Sequence, residues 1–232
     1  MASHLLHLLL ALASATTLTL ALEVPVTVYF ESLCPDSQKF IKDQFALVYS
    51  NSTFQKYIKP QFVPWGHTNV TGEETFSCQH GKGECDGNRL LSCGLQILPD
   101  DKTKVSYVTC IMALNVTTNT TDFPIDKCQS EAGSLYQNIT ECYNNISVSS
   151  KYLQQNGDLT KKFFGDEKFW VPYISFNNKK DDVLSKEANT NFVSALCTHL
   201  KGENLSECPN SSASTFTATL IPAIVLLILG RL

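Results

Sequence analysis

Apolar residues fall along the chain in two periods. Val24 to Phe30 is an unbroken β-branched and aromatic run, with Pro25 tolerated near its start, and predicts a strand. From Ser37 to Tyr49 the apolar positions Phe40, Ile41, Phe45, Leu47 and Val48 recur at roughly helical spacing until Asn51-Ser52-Thr53 interrupts them. Lys59 to Gly66 then reads as a second, short strand. Strand, helix and strand in that order form a βαβ unit, the usual start of a parallel sheet.

The pattern changes from about residue 70 to 156. Thr71 to Asn88 is Gly- and Cys-rich with no periodicity and reads as loop. Arg89 to Leu98, Lys104 to Leu114 and Lys127 to Tyr143 read as three helical pieces that carry Cys93, Cys110, Cys128 and Cys142. This block is expected to be a helical insertion held by disulfides. Gly157 to Phe164 is a short helix or turn, and Phe169 to Phe176 a third strand. Asn177-Asn178 forms a hairpin turn that returns Asp182-Val183-Leu184 as a short fourth strand. Asn189 to Leu200, with Phe192, Leu196 and Leu200 four apart, closes the domain as a helix.

This order predicts an α/β, thioredoxin-like fold with a disulfide-rich helical insertion. Pro172 fits that reading. A proline inside a strongly β run is unfavourable unless it marks an edge, a bulge or a special site. In thioredoxin-like proteins a cis-proline at this point faces the redox cysteine and offers backbone to a substrate.

Both ends carry processing patterns. Leu5 to Leu20 is apolar and uncharged, a secretory signal with cleavage expected near Ala21, so residues 1–21 fall outside the domain. At the other end, small residues and a polar spacer precede the apolar run from Leu220 to Gly230. Residues 210–232 are therefore a GPI-attachment signal or a short membrane anchor, the run being shorter than the roughly 20 residues a span needs. Residues 22–209 remain as one domain, with length enough for a real core. The net charge of −4 supplies no basic face for nucleic acid.

Nine cysteines and eight Asn-x-Ser/Thr sequons point to an oxidising lumen or the cell exterior. The glycosylation candidates are Asn51, Asn69, Asn115, Asn119, Asn138, Asn145 and Asn204; Asn210 falls at the processing site. Nine is odd, so one cysteine is left over, and Cys34 is the natural candidate. Cys78, Cys85, Cys93, Cys110, Cys128, Cys142, Cys197 and Cys208 then form disulfides among 105 formal pairings. Proximity favours a bridge within Cys78, Cys85 and Cys93, and Cys197 with Cys208 would staple the last helix.

Cys34 stands where the first strand gives way to the first helix, in Cys34-Pro35-Asp36-Ser37. A thiol at the positive end of a helix ionises more readily, while Asp36 opposes that with a like charge. The spacing is that of a Cys-x-x-Cys redox motif whose second cysteine is Ser37.

The stretch from Cys78 to Cys93 reads Cys-Gln-His-Gly-x-x-x-Cys-x-x-Asn-x-x-x-x-Cys. It resembles the signature of the gamma-interferon-inducible lysosomal thiol reductase family, as do Tyr29 to Pro35 and Trp170-Val171-Pro172. The similarity spans about Val24 to Cys208. It implies reduction of protein disulfides in the secretory or endolysosomal pathway, with Cys34, Ser37 and Pro172 at the active corner and no bound cofactor. Where the family carries a second cysteine, Ser37 cannot expel the product. Cys34 would act alone, resolved by an external thiol such as glutathione or cysteine, on disulfide-bonded protein substrates.

Rival readings use the same residues. Cys78, His80, Cys85 and Cys93 offer four zinc ligands, though without the paired spacing of zinc sites. A Cys-His hydrolase would pair Cys34 with His67, His80 or His199. The main alternative is a glycosylated binding protein that retains the reductase fold without turnover.

Overall fold

The computed structural model describes residues 22–114, 116 and 123–209. The signal and anchor segments, and the sequons at Asn115, Asn119 and Asn210, lie outside the described residues. No helix of the described residues is long and apolar enough to cross a membrane.

Strand β1 (Val24–Phe30) lies at the centre of a three-stranded sheet. It runs parallel to β2 (Ile58–Pro64), with Val28 opposite Phe62. On its other side β5 (Tyr173–Phe176) is antiparallel, with Val28 opposite Ile174. Both faces are covered. Val24, Val26, Val28 and Phe30 enter the main core, while Tyr29 points into a second cluster with Val63, Phe164 and Tyr173. This is why β1 reads as continuous apolar sequence rather than as an alternation.

The connection from β1 to β2 is α1, a rod composed of Pro35–Phe40, a π turn at Ile41–Phe45 and Ala46–Ser50, followed by the short α2 (Ser52–Gln55). Phe40, Ile41 and Phe45 are fully buried against the sheet, and Phe45 meets the Phe62 ring edge-on at 5.2 Å. Leu47, placed by its spacing on the apolar face, is instead 64% exposed.

The segment that reads as loop from Thr71 to Asn88 is more ordered than its composition suggests. A small antiparallel pair, β3 (Asn69–Gly72) and β4 (Thr75–Ser77), precedes α3, which begins at Lys82 and runs to Ile97. Gly81 at its N-cap has φ 85°, a conformation that side chains disfavour. The helix period of α3 is hidden because its first turns bury Glu84, Asp86 and Asn88 instead of apolar residues. Then come α4 (Asp101–Ala113), short turns at Ile125–Cys128, Gln129–Ala132 and Gly133–Leu135, and α5 (Tyr136–Asn144). Gly133, at φ 56°, breaks the single helix expected from Lys127 to Tyr143. Helix α6 (Ile146–Phe164) absorbs the expected short piece at Gly157.

Three further readings need correction. Strand β5 is shorter than its apolar run, leaving buried Pro172 just before it. After the Asn177-Asn178 turn, with both residues at positive φ, a single bridge joins Phe176 to Lys179. No fourth strand follows among the described residues. Asp182-Val183-Leu184 opens α7 (Asp182–Thr190), because Asp181 caps it by accepting from the Leu184 amide at 2.9 Å. The expected closing helix is divided at Asn191, which caps α8 (Phe192–Cys197).

All nine cysteines are described. Four disulfides join Cys78–Cys85, Cys93–Cys142, Cys110–Cys128 and Cys197–Cys208. Cys34 is the free thiol. These pairings exclude the zinc set of Cys78, His80, Cys85 and Cys93, since its three sulfurs are all in disulfides.

Candidate active site

Strand β1 ends at Phe30, and Glu31-Ser32-Leu33 carry the chain to Cys34, the N-cap residue of α1. Cys34 is extended, at φ −67° and ψ 119°, and its carbonyl accepts the first helical bond from the Gln38 amide at 3.0 Å. Pro35 at the first helical position costs nothing there, because that amide has no partner inside a helix. Cys34 is buried, 7% exposed as a residue, and its Sγ donates to the Val171 carbonyl at 3.8 Å. The Val171–Pro172 peptide is cis. Cys34 and Pro172, distant in sequence, therefore share one corner. Ser37 sits one turn into α1, fully buried, and its Oγ has no hydrogen-bond partner.

The loop bearing Cys34 is held from two sides. The Gln38 side chain donates from Nε2 to the Ser32 carbonyl at 2.9 Å. From α3, Asn88 Oδ1 accepts from the Ser32 amide at 2.9 Å, and the Glu84 carbonyl accepts from Ser32 Oγ at 3.0 Å. The Cys78–Cys93 signature thus has a physical task here. Its asparagine satisfies a buried amide next to the thiol, and an unsatisfied amide would cost about 1–3 kcal/mol.

A second polar cluster adjoins this loop. Glu31 and Glu84 are both fully buried. Glu31 Oε1 accepts from the His67 amide at 2.5 Å, a close approach allowed by Gly66 at φ 55°, where a Cβ would collide with the Glu31 side chain. Glu84 Oε1 accepts from the His80 amide at 3.0 Å, a reach-back like that of a capping box. The two remaining oxygens lie near one imidazole nitrogen: His80 Nδ1 is 2.6 Å from Glu84 Oε2 and 3.5 Å from Glu31 Oε2. Burial raises Glu31 to about 7; the Glu84 charge adds to that, while the His67 amide and His80 oppose it. Burial likewise lowers His67, whose ring stacks on Phe169 at 4.8 Å. Phe169 leads into the Pro172 loop and borders a cleft of about 640 Å³ with Trp65, His67, Lys161 and Asp166.

Sequence reasoning named Cys34, Ser37 and Pro172, and the fold brings Cys34 against the carbonyl of Val171, the residue before Pro172. It did not place Glu31, Glu84 or Asn88 beside that loop. Two signals were available: a carboxylate following a buried strand, and a His–Glu pair four apart at a helix start. The hydrolase pairing finds no support. His80 is engaged with carboxylates, His67 stacks on Phe169 and His199 stacks on Phe176 at 5.0 Å. The sequon asparagines Asn51, Asn69, Asn138, Asn145 and Asn204 are all exposed.

Comparison with known proteins bears on family and fold. The sequence profile of the family described as gamma interferon inducible lysosomal thiol reductase matches residues 25–146. A gamma-interferon-inducible lysosomal thiol reductase-like protein of Anopheles gambiae is 32% identical over 227 residues, covering 90% of this chain and 91% of the relative. A gamma-interferon-responsive lysosomal thiol protein of Arabidopsis thaliana is 29% identical, over 83% of this chain and 78% of its own. Among solved structures, DsbA of Chlamydia trachomatis superposes with a TM-score of 0.56 at 13% identity, covering 80% of this chain and 89% of its own, which establishes likeness of fold.

Proposed function

The chain belongs to the gamma-interferon-inducible lysosomal thiol reductase family, and on that premise we propose that it is a single-cysteine thiol–disulfide exchanger of the secretory pathway. The carrying observation is that eight cysteines are paired while Cys34 alone is free, at a helix start and against the Val171 carbonyl.

In the proposed cycle the Cys34 thiolate attacks one sulfur of a substrate disulfide. A Cys34–substrate disulfide forms, and the second substrate sulfur leaves as a thiolate that takes up a proton. Ser37 occupies the resolving position and cannot break that bond. An external thiol, glutathione or cysteine, attacks the Cys34 sulfur and frees the second substrate thiol. A second external thiol restores Cys34 and leaves as the external disulfide. Overall, one substrate disulfide and two external thiols become two substrate thiols and one external disulfide. The buried Ser37 hydroxyl, uncommitted at rest, is available to donate to the thiolate. Pro172 and Val171 present backbone to the substrate chain, and no bound cofactor is required.

The test is reduction of a disulfide-bonded protein with and without glutathione. Wild type should turn over only with added thiol, Cys34→Ser should fall to background, and Ser37→Cys should gain activity on an external dithiol. Equal inactivity of wild type and Cys34→Ser, with gain in Ser37→Cys, would establish the second reading, a binding protein that retains the fold. The 7% exposure of Cys34 favours that reading. Glycosylation at the exposed sequons and membrane attachment through residues 210–232 complete the proposal. Glycosidase treatment should lower the apparent mass, and phospholipase should release the chain from cells if the anchor is GPI.

A further inference from the structure

Glu31, His80 and Glu84 are more than a buried salt bridge. Each carboxylate has one oxygen tied down by a backbone amide, Glu31 by His67 and Glu84 by His80. The other oxygen of each is directed toward His80 Nδ1, and Glu31 Oε2, in a fully buried side chain, has no hydrogen-bond partner. One donor atom from each residue lies within 4.8 Å of those of the other two. Carboxylates oriented from behind, with their free oxygens convergent, are what a metal site requires of its surroundings. Buried acceptors are otherwise satisfied in folded proteins.

We propose that Glu31, His80 and Glu84 bind one divalent transition-metal ion of the zinc class. Two carboxylates and a neutral imidazole neutralise a doubly charged ion, so the filled site carries no net buried charge. The ion binds at His80 Nδ1, with the ring proton on Nε2. The 3.5 Å between Nδ1 and Glu31 Oε2 is close to the roughly 3.3 Å between ligands of a tetrahedral ion with bonds of about 2.0–2.2 Å. The 2.6 Å pair to Glu84 must open to a similar length, by rotation of one carboxylate. An imidazole with two carboxylates suits zinc-like ions, whereas calcium demands six to eight oxygens. The His80 side chain is 24% exposed, which gives the ion an entrance and leaves its fourth position to water. Bound there, the ion would clasp the start of α3 to the end of β1, directly behind the Cys34 loop. This site shares only His80 with the zinc set excluded above, uses none of its cysteines and is independent of thiol turnover.

The test uses the full glycosylated chain, stripped with chelator and titrated with zinc chloride by calorimetry and thermal unfolding. One ion per chain is expected. At a hundredfold excess over Kd, zinc should raise the melting temperature by roughly 5–10 °C. His80→Ala and Glu84→Gln should each weaken binding at least about 10-fold, as loss of metal-site residues does. Cys34→Ser should bind as wild type. Absence of binding to wild type, undiminished binding by His80→Ala, or loss of binding with Cys34→Ser would each overturn the site. Should the His80 and Glu84 variants fail to fold, cobalt on wild type decides: an absorption spectrum without sulfur-to-metal charge transfer supports the site, and one with it refutes it.

Discussion

The sheet half of the molecule and the later part of its helical insertion solve the problem of cohesion differently. Around β1, Phe30, Phe40, Phe45, Phe62 and Phe192 form a continuous aromatic core, and the thiol there is left free. Leu90 to Met112 of the insertion joins the main core, but in its later part, from Phe123 to Asn145, the buried apolar side chains described are Phe123, Cys128, Ala132, Ile139 and Cys142. Two of those five are half-cystines, tied back to Cys110 and Cys93. Where apolar volume is scarce, disulfides replace it. Where it is ample, a cysteine can be kept for chemistry.

Core truncation should have the largest effect. Phe45→Ala removes a ring in contact with Phe62, Tyr49 and Phe192 and is expected to cost about 3–5 kcal/mol in urea unfolding. Next, removing the Cys93–Cys142 bridge by paired alanines opens a separation of 49 residues and should cost about 4 kcal/mol by loop entropy. The Cys78–Cys85 bridge, with a separation of 7, should cost about 2.5 kcal/mol on the same basis. Hydrogen exchange would sharpen the contrast: loss of the Cys93–Cys142 bridge should expose α4 and α5 amides before those of β1. Simultaneous loss in both regions would break the comparison.

The seam between the halves should respond more mildly. Asn88→Ala strands the Ser32 amide and is expected to cost about 1–3 kcal/mol, with altered iodoacetamide labelling of Cys34. Unchanged stability and unchanged labelling would remove α3 from any role in positioning the loop. Gly157→Ala places a Cβ 2.8 Å from the Trp65 ring, where α6 meets the end of β2, and should cost about 1–3 kcal/mol by overpacking.

The smallest effect concerns pH. His199 stacks on Phe176 beside Asn177, and burial first, then the Lys179 charge, lower its pKa against the opposing Asp181. Its folded state thus binds a proton less readily than the unfolded chain, whose histidine titrates near 6.5. The stabilisation it contributes is present above about pH 6.5 and is lost as pH falls through the lower folded value. His199→Gln should flatten the urea-midpoint profile over that window, and an unchanged slope would assign the acid sensitivity to other groups.

Much of the site could be read before folding. Cys34 stood out by the odd cysteine count and its place after an apolar run, and Pro172 by a proline set in a strongly β stretch. Glu31 and Glu84 did not, because a carboxylate in sequence gives no sign of whether water will surround it. The first turns of α3 escaped notice for the same reason: they bury polar residues that pair across the fold, so they lack the apolar period of a helix.

The sequence by itself determined the central strand, the α/β class, the oxidised cysteine chemistry and the single spare thiol. These follow from local propensity, from periodicity and from counting. Only the tertiary structure decided that Cys93 pairs with Cys142 and Cys110 with Cys128, and that Glu31 meets His80 and Glu84. Each of those depends on contacts between segments far apart in the chain. A one-dimensional pattern records that a residue is to be buried, but not against what.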